Sequence, residues 1–173
     1  MNRRWLGVFV ALIVLAADQS AKIAMLARSA GSARQSTPLA PFLDLALRWN
    51  RGISFSLLVQ DSTAGRMALL GLTVAAIALL TLWLWNCRTI YAAAGLGAII
   101  GGALGNALDR LTHGAVVDYL DLHPFGQHLF VFNLADAAIN VGVLLLVIDF
   151  LFGSRDAADR KPATSQRSSD APS

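Results

Sequence analysis

Four runs of about twenty predominantly apolar residues divide this chain, and each is long enough to cross a hydrocarbon core of roughly 30 Å as an α-helix. They extend from Trp5 to about Ala27, from Met67 to Trp85, from Ile90 to Leu108 and from about Phe132 to Phe152. The second run contains no charge, whereas Asp18 and Lys22 interrupt the first. With 55% hydrophobic residues over 173 positions, the chain is too apolar for a soluble domain of its size. The expected fold is an integral membrane protein, mainly α, with four transmembrane helices and a small β-rich segment at the membrane surface. Asn2-Arg3-Arg4 before an apolar run is also how a cleaved signal peptide begins, but no small-x-small cleavage site directly follows Ala17, so the first run is kept as a helix.

The surface segment, residues 28–66, contains Pro38, Pro41 and then a strict alternation. Leu43, Leu45, Leu47 and Trp49 alternate with Asp44, Ala46, Arg48 and Asn50, the period of a half-buried strand. A sheet or hairpin with Gly52 as its turn is expected there. Residues 153–173 are rich in Ser, Ala, Asp and Arg without apolar periodicity, the composition of a disordered tail after a single membrane-embedded domain over 1–152. Arg and Lys cluster at the ends of apolar runs, where anchoring accounts for them, and no nucleic-acid partner is inferred from the net charge of +3. Basic residues are so evenly divided between the two ends of the spans that the positive-inside rule only narrowly favours both termini inside. The single cysteine, Cys87, beside Arg88 in a short connection, has no intrachain disulfide partner.

Ionisable groups inside a membrane span cost about 2.5–3.5 kcal/mol each on insertion scales, so each needs a partner or a task. All eleven acidic residues are aspartates. Without a glutamate, a His-Glu-x-x-His zinc helix is excluded, and His113, His123 and His128 match no ligand spacing, so no metal and no cofactor are expected. Asp18 and Lys22 stack at i and i+4 and can neutralise each other. Ser20 points away from Lys22 on that helix, which leaves a Ser/Lys nucleophile pair open only to Ser54 or Ser56 arriving from the surface segment. Gly97, Gly101 and Gly105 recur every fourth residue, a stripe for close helix approach. One turn further, Asn106, Asp109 and Arg110 share a face, with Asp109 expected to pair with Arg110.

Asn133, Asp136 and Asn140 form a polar arc on the fourth run, and Asp136 has no basic residue within a helical turn. A carboxylate so placed stays protonated or shares a proton. The candidate for sharing is Asp118, read as lying in the loop between the third and fourth runs. In isolation it is an ordinary solvated loop aspartate. Topology brings that loop to the membrane face where the fourth helix starts, however. Two such carboxylates divide the work: the charged one takes a proton from water while the neutral one protonates a peptide carbonyl.

The order Asp18-Gln19-Ser20-Ala21-Lys22, then Asn50-Arg51-Gly52-Ile53-Ser54-Phe55, then Gly101 through Arg110, then Val116-Val117-Asp118-Tyr119, and finally Phe132-Asn133-Leu134-Ala135-Asp136 resembles the lipoprotein signal peptidases, or signal peptidase II, from about Trp5 to Phe152. The resemblance implies an aspartic endopeptidase of the bacterial inner membrane with both termini cytoplasmic and an extracytoplasmic surface segment. It assigns catalysis to Asp118 and Asp136. Asp18, Lys22, Asn50, Gly52, Asn106, Asp109, Arg110, Asn133 and Asn140 then place substrate or support the site. Implied partners are diacylglyceryl prolipoproteins, cut immediately before the modified cysteine, membrane lipids and globomycin-type inhibitors. Ile53-Ser54 departs from the small pair more usual there. Two other classes compete: a proton-coupled transporter or channel using Asp18, Asp109 and Asp136, and an assembly subunit using only the glycine stripe. Against the transporter, Asp109 and Asp136 stand at helix ends, and no broken helix pair is evident.

Overall fold

The computed structural model describes residues 2–30, 36–52 and 63–152. The tail at 153–173, the Ile53-Ser54-Phe55 block and Ser56 lie outside the described residues. Four helices, α1 (Arg3–Ala30), α2 (Thr63–Asn86), α3 (Ile90–Thr112) and α4 (Leu134–Phe152), are each long and apolar enough to cross a membrane. A sheet of four antiparallel strands caps one end, formed by β1 (Thr37–Ala40), β2 (Leu43–Asn50), β3 (Val116–Leu122) and β4 (Phe130–Phe132) in that spatial order.

Two sequence expectations change here. The hairpin turn of the first two strands is at Pro41 and Phe42, and Gly52 is instead a bend beyond the end of β2. Asp118 lies in strand β3 and not in a loop. Val116, Val117 and Tyr119 are side-chain types that favour strands, and β3 pairs with β2 on one side and β4 on the other, setting Arg48 opposite Asp118. The Asp18–Lys22 pair sits within α1, which continues two turns past Lys22 before it ends.

In α3, 67% of the apolar window is buried, against 6–17% in the other three helices, so α3 is the central post and the others face outward. Glycine makes this possible. A Cβ on Gly97 or Gly101 would collide with the backbone of α1 at Gly7 or Ala11, and Gly105 abuts the Asp18 carboxylate. A second stripe, Gly95 and Gly102, faces α4: added Cβ atoms there would meet the carbonyls of Gly142 at 2.8 Å and Ala135 at 2.5 Å. Backbones that meet this closely substitute dispersion and dipole contacts for the hydrophobic drive absent in lipid. At the end of the bundle away from the sheet, Leu84, Ala93, Leu96 and Ile100 close the apolar core with Ala11.

Candidate active site

The N-terminus of α4 leaves backbone N–H groups that no helical carbonyl can serve, and in a low-dielectric place each must find a partner. Side chains serve all four. Asn133 is the N-cap: its Oδ1 accepts from Asp136 N at 2.9 Å, and Asp136 Oδ2 reaches back to Asn133 N at 3.3 Å, a reciprocal capping box. Tyr119 Oη accepts from Leu134 N at 3.3 Å and Asp18 Oδ1 from Ala135 N at 3.0 Å. Two carboxylates therefore stand at the positive end of the α4 dipole.

Asn133 also ties the second aspartate to the first. Its Nδ2 donates to Asp118 Oδ1 at 2.7 Å and to Asn106 Oδ1 at 3.1 Å, while Asn106 Nδ2 donates to Asp136 Oδ1 at 2.9 Å. Asn50 Nδ2 donates to Asp118 Oδ2 at 3.0 Å, and its own Oδ1 is held by Gly52 N at 3.0 Å. The Gly52 bend thus aims Asn50 from the end of β2. Arg110 bridges the same corner, donating to Gly52 O at 3.2 Å and Asn106 O at 3.3 Å.

Beneath this layer lies a buried ion triad. Lys22 Nζ is 2.8 Å from both Asp18 Oδ2 and Asp109 Oδ2, and it donates to Asn106 Oδ1 at 3.1 Å. None of the three charged residues is more than 2% exposed. The expected Asp109–Arg110 pairing is corrected: Asp109 turns inward to Lys22, accepts from Val117 N at 3.0 Å and from Gln19 Nε2 at 3.1 Å, and so fastens β3 to α3. Gln19 and Tyr119 were not singled out from the sequence, although both stand inside the quoted motifs next to assigned residues. Their adjacency was the available signal.

Burial pushes the Asp118 carboxyl up to about 6, with the charge of Asp136 adding to it against the bonds from Asn50 and Asn133. Burial likewise lifts the Tyr119 phenol to about 12, so it remains a neutral partner for Leu134. Asp136 opens onto a cleft of about 550 Å³ whose wall is apolar, with Phe130, Val131, Phe132 and Ala137, and whose polar rim is Asn50 and Asn140. Asn140 is exposed and spends its amide on Asp136 O at 3.0 Å, so it borders the cleft and does not join the network. The histidines stand apart. His123 pairs with Asp44 at 2.9 Å, which raises the imidazole, while the Ser36 hydroxyl and then His123 lower the Asp44 carboxyl; His128 pairs with Asp121 at 2.9 Å. Among the described residues no group of three His, Cys, Asp or Glu side chains is arranged to hold a metal ion.

Such an arrangement can do acid–base chemistry on a bond brought into the cleft beside Asp136. Residues 10–152 match the family model described as Signal peptidase (SPase) II. The lipoprotein signal peptidase of Methylocella silvestris is 48% identical over 157 residues, covering 91% of this chain and 92% of that protein. That of Beijerinckia indica is 44% identical, covering 94% and 96%. Two solved structures of bacterial membrane enzymes obtained by the in meso method share the fold. The one at 2.3 Å resolution has a TM-score of 0.74 at 24% identity, covering 92% of this chain and 94% of that one. The one at 1.9 Å has a TM-score of 0.71 at 25% identity, covering 84% and 92%. With the family match running from within α1 to the end of α4 and taking in both aspartates, this chain belongs to the signal peptidase II family.

Proposed function

We propose that this protein removes signal peptides from prolipoproteins by cutting immediately before the diacylglyceryl-modified cysteine, with Asp118 and Asp136 as its catalytic pair. The observation that carries this is the joining of the two carboxylates through Asn133, beside an apolar cleft at the end of the bundle. The ionised member takes a proton from a water molecule as its oxygen attacks the scissile carbonyl carbon, and the neutral member protonates the carbonyl oxygen. Collapse of the resulting diol breaks the C–N bond, and the proton first taken from water passes to the departing cysteine nitrogen. Arg110, held on Gly52 and Asn106, keeps the β2 end and thereby Asn50 in place. The apolar cleft wall suits acyl chains or the last residues of a signal peptide entering sideways from the bilayer.

In this proposal the site lies near the outer face of the bacterial inner membrane, both termini are cytoplasmic, and a globomycin-type peptide would occupy the same cleft. Conduction of protons is less well supported, because Asp18, Asp109 and Asp136 gather at one level instead of crossing the bundle. The test is cleavage by the purified protein in detergent. A peptide carrying the diacylglyceryl cysteine is expected to be cut before that cysteine, with and without a chelator, and its unmodified counterpart to be cut at least tenfold more slowly. Equal rates on the two peptides, or loss of cleavage on chelation with recovery on adding zinc, would contradict this assignment.

A further inference from the structure

The bundle carries basic residues at the sheet end that the chemistry above does not use. Arg51, Arg66 and His113 line one shallow cavity of about 330 Å³ together with Trp49, Gly114 and Ala115, and among the described residues no carboxylate lines it. The larger cavity under β2, lined by Arg28 and Arg48, also presents the Asp121 carboxylate, so an anion there meets opposed charge. Arg66 forms no ion pair among the described residues. Its guanidinium lies over the backbone of Gly114, where an added Cβ would be 2.6 Å from Nη1, so the absence of a side chain there makes room for it. The Trp49 and His113 rings meet at 5.5 Å, tilted by 46°, and Trp49 remains 47% exposed.

Depth distinguishes this cavity. Arg66 stands in the first turn of α2, whose apolar span begins at Ala64, and His113 follows the last residue of α3. Both therefore lie where hydrocarbon gives way to head groups. An exposed indole beside them is the usual occupant of that layer, with its ring among the upper methylenes and its N–H in the head-group region. A guanidinium there meets one abundant anion, the phosphate diester of a phospholipid, and can bind two of its oxygens at once. A net negative head group fits better than a zwitterionic one, because among the described residues the cavity offers arginines to a phosphate but no carboxylate to an ammonium.

We propose that this cavity binds the phosphate of an anionic phospholipid from the leaflet at the sheet end, with Arg66 as its main ligand and Trp49 against the glycerol and upper acyl region. The bound lipid would stand beside β2 just before Asn50. It is a resident lipid, separate from the cleft at Asp136, and the inference does not depend on which peptide that cleft accepts.

The molecule supplies its own reporter. Of the four tryptophans, Trp5, Trp83 and Trp85 lie at the opposite end of the bundle, near the start of α1 and the end of α2. Replacing those three by Phe leaves Trp49 as the only indole. In nonionic detergent, titration with phosphatidylglycerol is expected to shift Trp49 emission saturably. Arg66→Gln should raise the half-saturating mole fraction at least fivefold, and Arg66→Lys should restore part of it. Arg88→Gln, at the other end of the bundle, should leave it unchanged. Diacylglycerol with the same chains should give no saturable response, and phosphatidylcholine one at least fivefold weaker. Arg66 is exposed, so its variants are expected to fold, and unchanged melting temperatures would verify this. Equal titration of wild type and Arg66→Gln would overturn the proposal. So would an equal response to diacylglycerol, which would mean acyl contact alone, or a full response to millimolar inorganic phosphate, which would mean a free-anion site.

Discussion

Asn133 is the residue on which both carboxylates depend. Its amide nitrogen reaches Asp118, its amide oxygen caps Asp136 N, and its backbone N–H returns to the Asp136 carboxylate, so one side chain spans β3 and α4. The two aspartates also interact through charge, since Asp136 is one of the causes that raise Asp118, second to burial. In Asp136→Asn that charge is gone while burial remains, so the Asp118 carboxyl should titrate below about 6 but above its ordinary 3.8. Infrared or carbon-13 titration of the carboxyl would measure it, and an unmoved pKa near 6 would mean that the pair is not coupled. Stability follows the same sign. A folded-state pKa raised above the unfolded value means that the folded protein binds the Asp118 proton more tightly, so this contribution is fully present below about pH 4 and is lost as pH rises through about 6. At this scale the sequence revealed which residues share a helix face but not what they meet across the fold. Asp109 was adjacent to Arg110 in the chain, and only the approach of α1 puts Lys22 within 2.8 Å of it.

Among the elements, α3 does the positioning. Its two glycine stripes set the distances to α1 and α4, and those distances decide whether Asn106 and Asp109 reach Asp136 and Lys22. Substituting either stripe should therefore damage the fold in a way that a glycine outside the contacts would not. Gly101→Ala places a methyl 2.5 Å from Ala11 O and should destabilise by about 1–3 kcal/mol through overpacking. Gly71→Ala, in α2 with nothing within 4 Å of the new methyl, should be neutral or gain up to about 1 kcal/mol from helix propensity. Melting in detergent compares the two, and a Gly71 variant as unstable as the Gly101 variant would show that crossing distance is not what the stripes protect. The Gly97-Gly101-Gly105 stripe was legible because its period is regular. The Gly95 and Gly102 stripe was not singled out, since seven residues separate its members and only the position of α4 gives them a purpose. Strand β3 was missed for another reason: both of its faces are covered, so Val116 through Tyr119 lack the alternation that exposed β2.

At the scale of the molecule, the four helices place the sheet and the carboxylates at one end and both termini of the described chain at the other, because α1 begins and α4 ends away from the sheet. Apolar length alone predicted four crossings, whereas charge gave almost no orientation, and the structure indicates why. Several arginines at the sheet end have local tasks: Arg110 holds Gly52, Arg28 donates to Thr37 at 3.2 Å, and Arg66 lies over Gly114. They weaken the positive-inside signal without reversing it. In the proposed orientation, and with Cys87 replaced by Ser, a membrane-impermeant maleimide applied outside intact inner membranes should label Gln127→Cys, in the exposed β3–β4 connection. It should not label Arg88→Cys, in the connection between α2 and α3. Labelling of the Arg88 variant from outside would invert the topology.

If Asp118 and Asp136 perform the chemistry while the surrounding network only holds them, cleavage of the diacylglyceryl peptide must separate Asp118→Asn and Asp136→Asn from Asp109→Asn. An amide nearly preserves the shape of a carboxylate but cannot take a proton from water. The Asp118 and Asp136 variants should lose at least a thousandfold in rate yet still fold and bind a globomycin-type peptide. Asp109→Asn should retain measurable turnover and lose thermal stability instead, because it leaves Lys22 with only Asp18 as a charged partner. Near-normal turnover by either the Asp118 or the Asp136 variant would mean that the two aspartates are not the catalytic pair.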